Sequence, residues 1–193
     1  MKLLIIDSTI RPKEISRTAQ LLDAFLLRYL ELHPNCETET VTLRDLPLKP
    51  LLNEDITTRD ALLNEHHFSH PMFALARQFA DADRIVLAAP FWDLSFPSIL
   101  KIYIEHISVG GITFGYGEHG QEGYCHADKL TFLQTSGGPV GQENPAHTYI
   151  ERNCQAFGIG EMDYFCAEGL DVKELDTGAI WETAVETVKK MAE

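Results

Sequence analysis

The chain has 193 residues, 45% apolar and 23% charged, which suits one domain (1–193) with its own core and excludes a disordered or fibrous chain. Acidic side chains outnumber basic ones 29 to 16, a formal charge of −13, and no run of Lys or Arg could neutralise neighbouring phosphates, so neither nucleic acid nor an anionic membrane is an expected partner. The apolar run Leu3 to Ile6 falls far short of the ~20 residues of a membrane span and carries no cleavage pattern, so a cytoplasmic protein is expected.

Leu3 to Asp7 is a continuous apolar run, as in a parallel strand covered on both faces. A polar loop, Ser8 to Arg17, leads into a helix from Thr18 to about Leu32, in which Leu21, Leu22, Phe25, Leu26, Tyr29 and Leu30 repeat at helical spacing. Glu37 to Leu43 alternates as a second strand. Thr57 to Asp81 reads as two helical pieces, with Pro71 breaking them near Ser69 or His70. Arg84 to Ala89 is a third strand closed by Pro90, followed by a helix from Ser98 to about Val109 with Pro97 at its start. Gly111 to Gly123 reads as a hairpin with glycine turns. Leu130 to Gln134 and Met162 to Ala167 supply two more strands around a helix near Ala146 to Phe157. A helix from Gly178 to Ala192 ends the chain. Strands alternating with helices imply a parallel sheet with helices on both faces. Ligands of such sheets bind beyond the carboxyl ends of the strands, where the winding reverses. Cys36, Cys125, Cys154 and Cys166 form no CxxC pair and are expected as free thiols.

Three loops at that edge carry candidate chemistry. The first, Asp7 to Thr18, combines hydroxyls with a helix N-terminus and suits a terminal phosphate, while Ser16 or Thr18 would equally cap the helix. It matches neither GxxxxGK[ST] nor GxGxxG. The second, Ala89 to Pro97, sets Phe91, Trp92 and Phe96 at a strand end, either to face a planar heterocycle or to cap the core. The third, Gln134 to Gly141, pairs Gly137 with Gly138, as a close backbone approach to a ligand or an ordinary turn would.

Together these loops resemble the FMN-dependent NADH azoreductases and NAD(P)H quinone reductases. The matching residues are Ser8, Ser16, Arg17 and Thr18; Ala89, Pro90, Phe91, Trp92, Asp93 and Leu94; and Thr135, Ser136, Gly137 and Gly138. The stretch Gly111-Ile112-Thr113-Phe114-Gly115-Tyr116-Gly117-Glu118-His119-Gly120-Gln121-Glu122-Gly123 resembles the family's TFxYxxxGxxG excursion. Phe165-Cys166-Ala167-Glu168-Gly169 extends the likeness to nearly the whole chain. The resemblance implies a flavodoxin-like fold, α/β, with a doubly wound five-stranded parallel sheet in three α/β/α layers. It implies FMN held by the three loops, NADH or NADPH as donor, and ping-pong transfer of two electrons to a quinone, azo or nitroaromatic acceptor. It also implies a homodimer, for which Phe114 and Tyr116 are interface candidates, although core packing explains them equally. Two positions depart from the family: Asp93 stands where Asn is frequent, and Ser136 where Arg is. A carboxylate at the flavin's pyrimidine edge would oppose the charge of reduced flavin and lower its potential.

No side chain stands out as catalytic acid or base, because the cofactor carries that chemistry. His66, His67 and His70 include an i,i+4 pair but lack a completing ligand, so they are expected to face solvent and no metal is assigned. His119, His126 and His147 lie in segments that approach the acceptor pocket or are exposed loop residues. A serine hydrolase ranks below the flavoenzyme because no GxSxG elbow occurs. A non-enzymatic electron carrier or redox sensor is the alternative from another class.

Overall fold

β1 (Lys2–Asp7), β2 (Glu37–Thr42), β3 (Arg84–Pro90), β6 (Lys129–Thr135) and β7 (Glu161–Ala167) form one sheet in the order β2-β1-β3-β6-β7, every neighbouring pair parallel. The computed structural model describes residues 1–118 and 120–193. Parallel pairing requires a crossover between strands, and the connecting segments supply α1 (Arg17–Leu32), α2 (Asn53–Asn64), α3 (Ala74–Ala80), α4 (Ser98–Ile107) and α5 (Pro145–Phe157), with α6 (Thr177–Met191) after the last strand.

Strand periodicity divides the core between the two faces of the sheet. Leu3, Ile5, Val86, Ala88 and Leu133 pack with Leu21, Leu22 and Phe25 of α1 and Ala184 and Val188 of α6. Leu4, Ile6, Ile85, Leu87, Leu130 and Phe132 face the opposite way, onto Phe79 of α3, Leu100, Tyr103 and Ile107 of α4, and Ile150 and Phe157 of α5. Each Val, Leu, Ile or Phe among them, fully buried, stabilises the fold by ~1.5–3 kcal/mol. The central strands β1 and β3 are apolar on both faces, which explains their continuous apolar runs, while β6 is equally buried but carries Thr131 and Gln134.

Helix ends follow local chemistry. Ser16 caps α1, its Oγ accepting from Ala19 N at 3.2 Å. Asn144 caps α5 through Oδ1, Pro145 opens that helix, and Gly158 closes it at φ 79°. The segment expected to break at Ser69 or His70 differs: α2 begins at Asn53 and stops at Asn64. Asp55 fixes that start by accepting from Leu52 N at 3.0 Å, and His66 turns the chain at φ 55°. Pro71 therefore opens the next helical turn, the 3-10 segment Pro71–Phe73 that leads into α3, where its missing N–H costs nothing.

Between α4 and β6 the chain forms the expected hairpin, β4 (Phe114–Gly117) antiparallel to β5 (Gly120–Gly123). A two-stranded ribbon is marginal alone. This one is held to the end of α5, where a Cβ on Gly123 would lie 1.9 Å from Gly158 N, and Cys125 N donates to Phe157 O at 3.1 Å. His119, between the strands, lies outside the described residues.

Candidate cofactor site

The winding reverses between β1 and β3, and the loops leaving the carboxyl ends of β1, β3 and β6 meet beside that point. The first loop is fixed at its root. Asp7 accepts from Thr9 N at 2.8 Å and from Arg44 at 3.1 Å. Arg44, just beyond β2, also donates to Thr9 O at 3.0 Å and Thr9 Oγ1 at 2.8 Å. Ser8 is wholly buried and continues the ladder to Ala88 O at 2.9 Å, while its Oγ has no partner among the described residues. Buried hydroxyls are almost always paired, so an orphan here fits a site that a ligand oxygen completes.

At the start of α1 the amides of Arg17 and Thr18 likewise have no partner among the described residues, as the first turn of a helix leaves them. With the helix dipole they suit an anion. Thr18 Oγ1 lies 2.6 Å from Thr135 Oγ1, both buried, which joins the first loop to the third. Arg17 reaches the loop after β7, donating to Leu170 O at 2.6 Å and to Asp171 Oδ1 at 2.8 Å.

In the second loop Trp92 and Ser95 exchange backbone hydrogen bonds of 3.1 and 2.9 Å, and Asp93 and Leu94 between them have φ of 51° and 62°. Two consecutive positive φ values define the primed hairpin turn that Asn-Gly ordinarily fills. Holding Asp and Leu there costs on the order of 1–2 kcal/mol each, the kind of strain that clusters at functional sites. The aromatics divide: Phe96 is buried in the core, Phe91 is half-buried, and Trp92 is 49% exposed.

The third loop begins where Phe91 N donates to Thr135 O at 2.8 Å and Ser136 N to Ala167 O at 2.8 Å. The amides of Gly137 and Gly138 have no partner among the described residues, leaving two donors beside the aromatic loop. Asp171 N donates to Gly137 O at 2.8 Å, and a Cβ on Gly137 would fall 2.3 Å from Asp171 Oδ2, so a side chain there would displace the Asp171 carboxylate from its place beside Arg17.

A cleft of about 190 Å³ gathers Ser16, Arg17, Thr18, Pro90, Phe91, Trp92, Thr135 and Gly137 from the three loops. Ser8, Asp93, Leu94, Ser136 and Gly138 belong to the same loops without lining it: Ser8 and Ser136 are buried, and Leu94 is 73% exposed at the turn. Sequence reasoning missed Ile10, Arg11, Ile15 and Asp171, which also line the cleft. The first three were visible as members of the hydroxyl loop, whereas Asp171 follows β7 and no pattern marked it. Arg44 was missed for the same reason.

Beneath the third loop, Gln134 is fully buried and satisfied. Its Oε1 accepts from Tyr164 Oη at 2.9 Å and Asn144 Nδ2 at 3.2 Å, and its Nε2 donates to Ser95 O at 3.4 Å. Burial raises the ionisation of the Tyr164 hydroxyl well above the ordinary tyrosine range and keeps it a donor. This network ties the strained turn to β6, β7 and the cap of α5.

The histidines separate in space. His66, His67 and His70 are exposed as expected. His147 is at the carboxyl edge, its ring 4.7 Å from that of Tyr164. His126 is the exposed loop residue that one of its two readings expects: its amide donates to Ala80 O, just before β3 begins, at the end of the strands away from the cleft.

The model of the flavodoxin-like fold family matches residues 1–191. The chain is 34% identical over 194 residues to an FMN-dependent NADH:quinone oxidoreductase of Clostridium beijerinckii, covering 99% of this chain and 98% of that protein. Its identity to the FMN-dependent NADH:quinone oxidoreductase 2 of Clostridium acetobutylicum is 35% over 196 residues, with 99% and 98% covered. Among solved structures it is similar to an azoreductase from Bacillus anthracis, with a TM-score of 0.88 and 26% identity over 99% of this chain and 98% of that one.

Proposed function

The chain belongs to the flavodoxin-like fold family alongside FMN-dependent NADH:quinone oxidoreductases, and from that premise we propose that it is itself an FMN-dependent oxidoreductase. It takes electrons from NADH or NADPH and passes two of them, in ping-pong order, to a quinone, azo or nitroaromatic acceptor. The observation that carries this reading is the convergence of the hydroxyl loop, the aromatic turn and the glycine loop on one cleft at the switch point of the sheet.

The residues present fit FMN. Ser16, Thr18 and the amides of the first turn of α1, unpartnered among the described residues, supply donors for a phosphate, with Arg17 adding positive charge, while Ser8 is buried at the root of the same loop. Pro90, Phe91 and Trp92 supply apolar contact for a planar ring, and Asp93 and Leu94 set the turn beside it. Thr135, Ser136, Gly137 and Gly138 form the remaining wall, where the Gly137 and Gly138 amides would stabilise negative charge at the ring's polar edge. When bound, FMN supplies a two-electron centre between nicotinamide and acceptor. The protein's part is to hold, orient and desolvate.

We extend the proposal to a homodimer in the cytoplasm. Ile10, Ile15, Trp92, Leu94 and Tyr116 are all more than 40% exposed, a set of apolar surfaces that a second copy would cover. No helix among the described residues is long and apolar enough to cross a membrane.

The test is an absorbance spectrum of the FMN-reconstituted protein freed of unbound flavin, before and after anaerobic NADH, followed by a quinone. A stoichiometric band that bleaches with NADH and returns with quinone is the expected result. Failure to retain flavin refutes the reading, and retained flavin indifferent to both nicotinamides points to a carrier or sensor instead.

A further inference from the structure

A second and larger groove, about 730 Å³, opens on the same edge of the sheet, along the continuation of the glycine loop and the start of α5. Its walls are set in advance. Tyr164 and Asn144 are both bonded to the fully buried Gln134. The ring of His147 meets Tyr164 at 4.7 Å, and Tyr149 lies 5.5 Å from the ring of Phe96. These aromatic rings are held by packing rather than left to sample solvent, which is what a ligand-ready surface requires.

Two charged groups complete it. Glu168 Oε2 accepts from Val140 N at 2.8 Å, which orients the carboxylate while Oε1 has no partner among the described residues. Arg152 lies further along α5; its guanidinium contacts Gln155 Oε1 at 3.3 Å and has no carboxylate partner among the described residues. Glu143 stands on the rim as a further negative charge.

Fixed aromatic surfaces, an oriented carboxylate and an unpaired guanidinium match, respectively, a purine, ribose hydroxyls and a phosphate. We propose that this groove takes the adenosine diphosphate end of the reduced nicotinamide donor, a reading that rests on the oxidoreductase function proposed above. Tyr149 and Tyr164 lie against the adenine, Glu168 accepts from a ribose hydroxyl, and Arg152 meets a phosphate oxygen. The two carboxylates oppose the additional phosphate of NADPH, so the groove favours NADH.

The experiment compares NADH, NADPH and reduced nicotinamide mononucleotide, which lacks the adenosine half, on the flavin-loaded protein, and titrates ADP-ribose calorimetrically. ADP-ribose is expected to bind and to compete with NADH. Arg152→Ala is expected to raise the KM for NADH and the Kd for ADP-ribose roughly tenfold, the loss of one charged hydrogen bond. Tyr149→Leu should weaken both in the same direction, and Glu168→Gln should narrow the preference for NADH over NADPH. Equal kcat/KM for NADH and the mononucleotide, or undiminished ADP-ribose binding in both Arg152→Ala and Tyr149→Leu, overturns the groove while leaving the oxidoreductase intact. If no donor is oxidised, the functional reading fails, and the ADP-ribose titration still decides whether the groove binds.

Discussion

Replacing Thr18 by valine keeps the side chain's shape and removes one half of a buried hydroxyl pair, stranding Thr135 at 7% exposure. A buried hydroxyl left without a partner costs about 1–3 kcal/mol, and Thr135→Val strands Thr18 by the same amount. Independent costs would sum to about 2–6 kcal/mol in the double variant. Each cost here is that of orphaning the other group, so Thr18→Val/Thr135→Val should be no less stable than either single variant, a coupling of about 1–3 kcal/mol. Urea denaturation of the flavin-free proteins measures this directly, since bound FMN would add its own stabilisation. Additive losses in the double variant, or singles indistinguishable from the parent, would refute the reasoning.

Tyr103 is fully buried with an unpaired hydroxyl among the described residues, so Tyr103→Phe should raise stability by about 1 kcal/mol, seen as a Tm about 2–4 °C higher. Leu94→Gly restores a favoured dipeptide at the primed turn and should raise the unfolding free energy by up to about 1 kcal/mol. A loss of stability would show that the left-handed Leu94 is not strained. Burial pushes the Cys125 and Cys154 thiols up to about 12. The fold therefore holds the neutral form, while the unfolded chain ionises near ~8.5. Stability should be full below that pH and fall as pH rises towards 12, by up to ~1.4 kcal/mol per pH unit for each thiol. A denaturation midpoint that stays flat from pH 8 to about 11 would contradict this.

The parallel strands and the amphipathic helices α1, α5 and α6 were legible because their burial is one-sided or complete and leaves a periodic trace. α2 was placed late and ended late because it buries no residue fully; its limits come from Asp55 and His66, local contacts without periodicity. In the site, motif residues adjacent in sequence were found together, as with Ser16, Arg17 and Thr18. Arg44 and Asp171 were not, since each reaches the loops from a different strand end and an isolated charged residue carries no pattern. The turn at Asp93 and Leu94 was equally hidden, because neither residue type announces a positive φ.

Arg17, near the beginning of the chain, is held by Leu170 and Asp171, more than 150 positions later. A growing polypeptide thus displays its hydroxyl loop long before the segment that clamps it has been synthesised. On the proposed reading, a phosphate-holding loop is completed only at the last stage of biogenesis: a nascent chain halted before β7 would carry most of the cleft's residues without the clamp on Arg17.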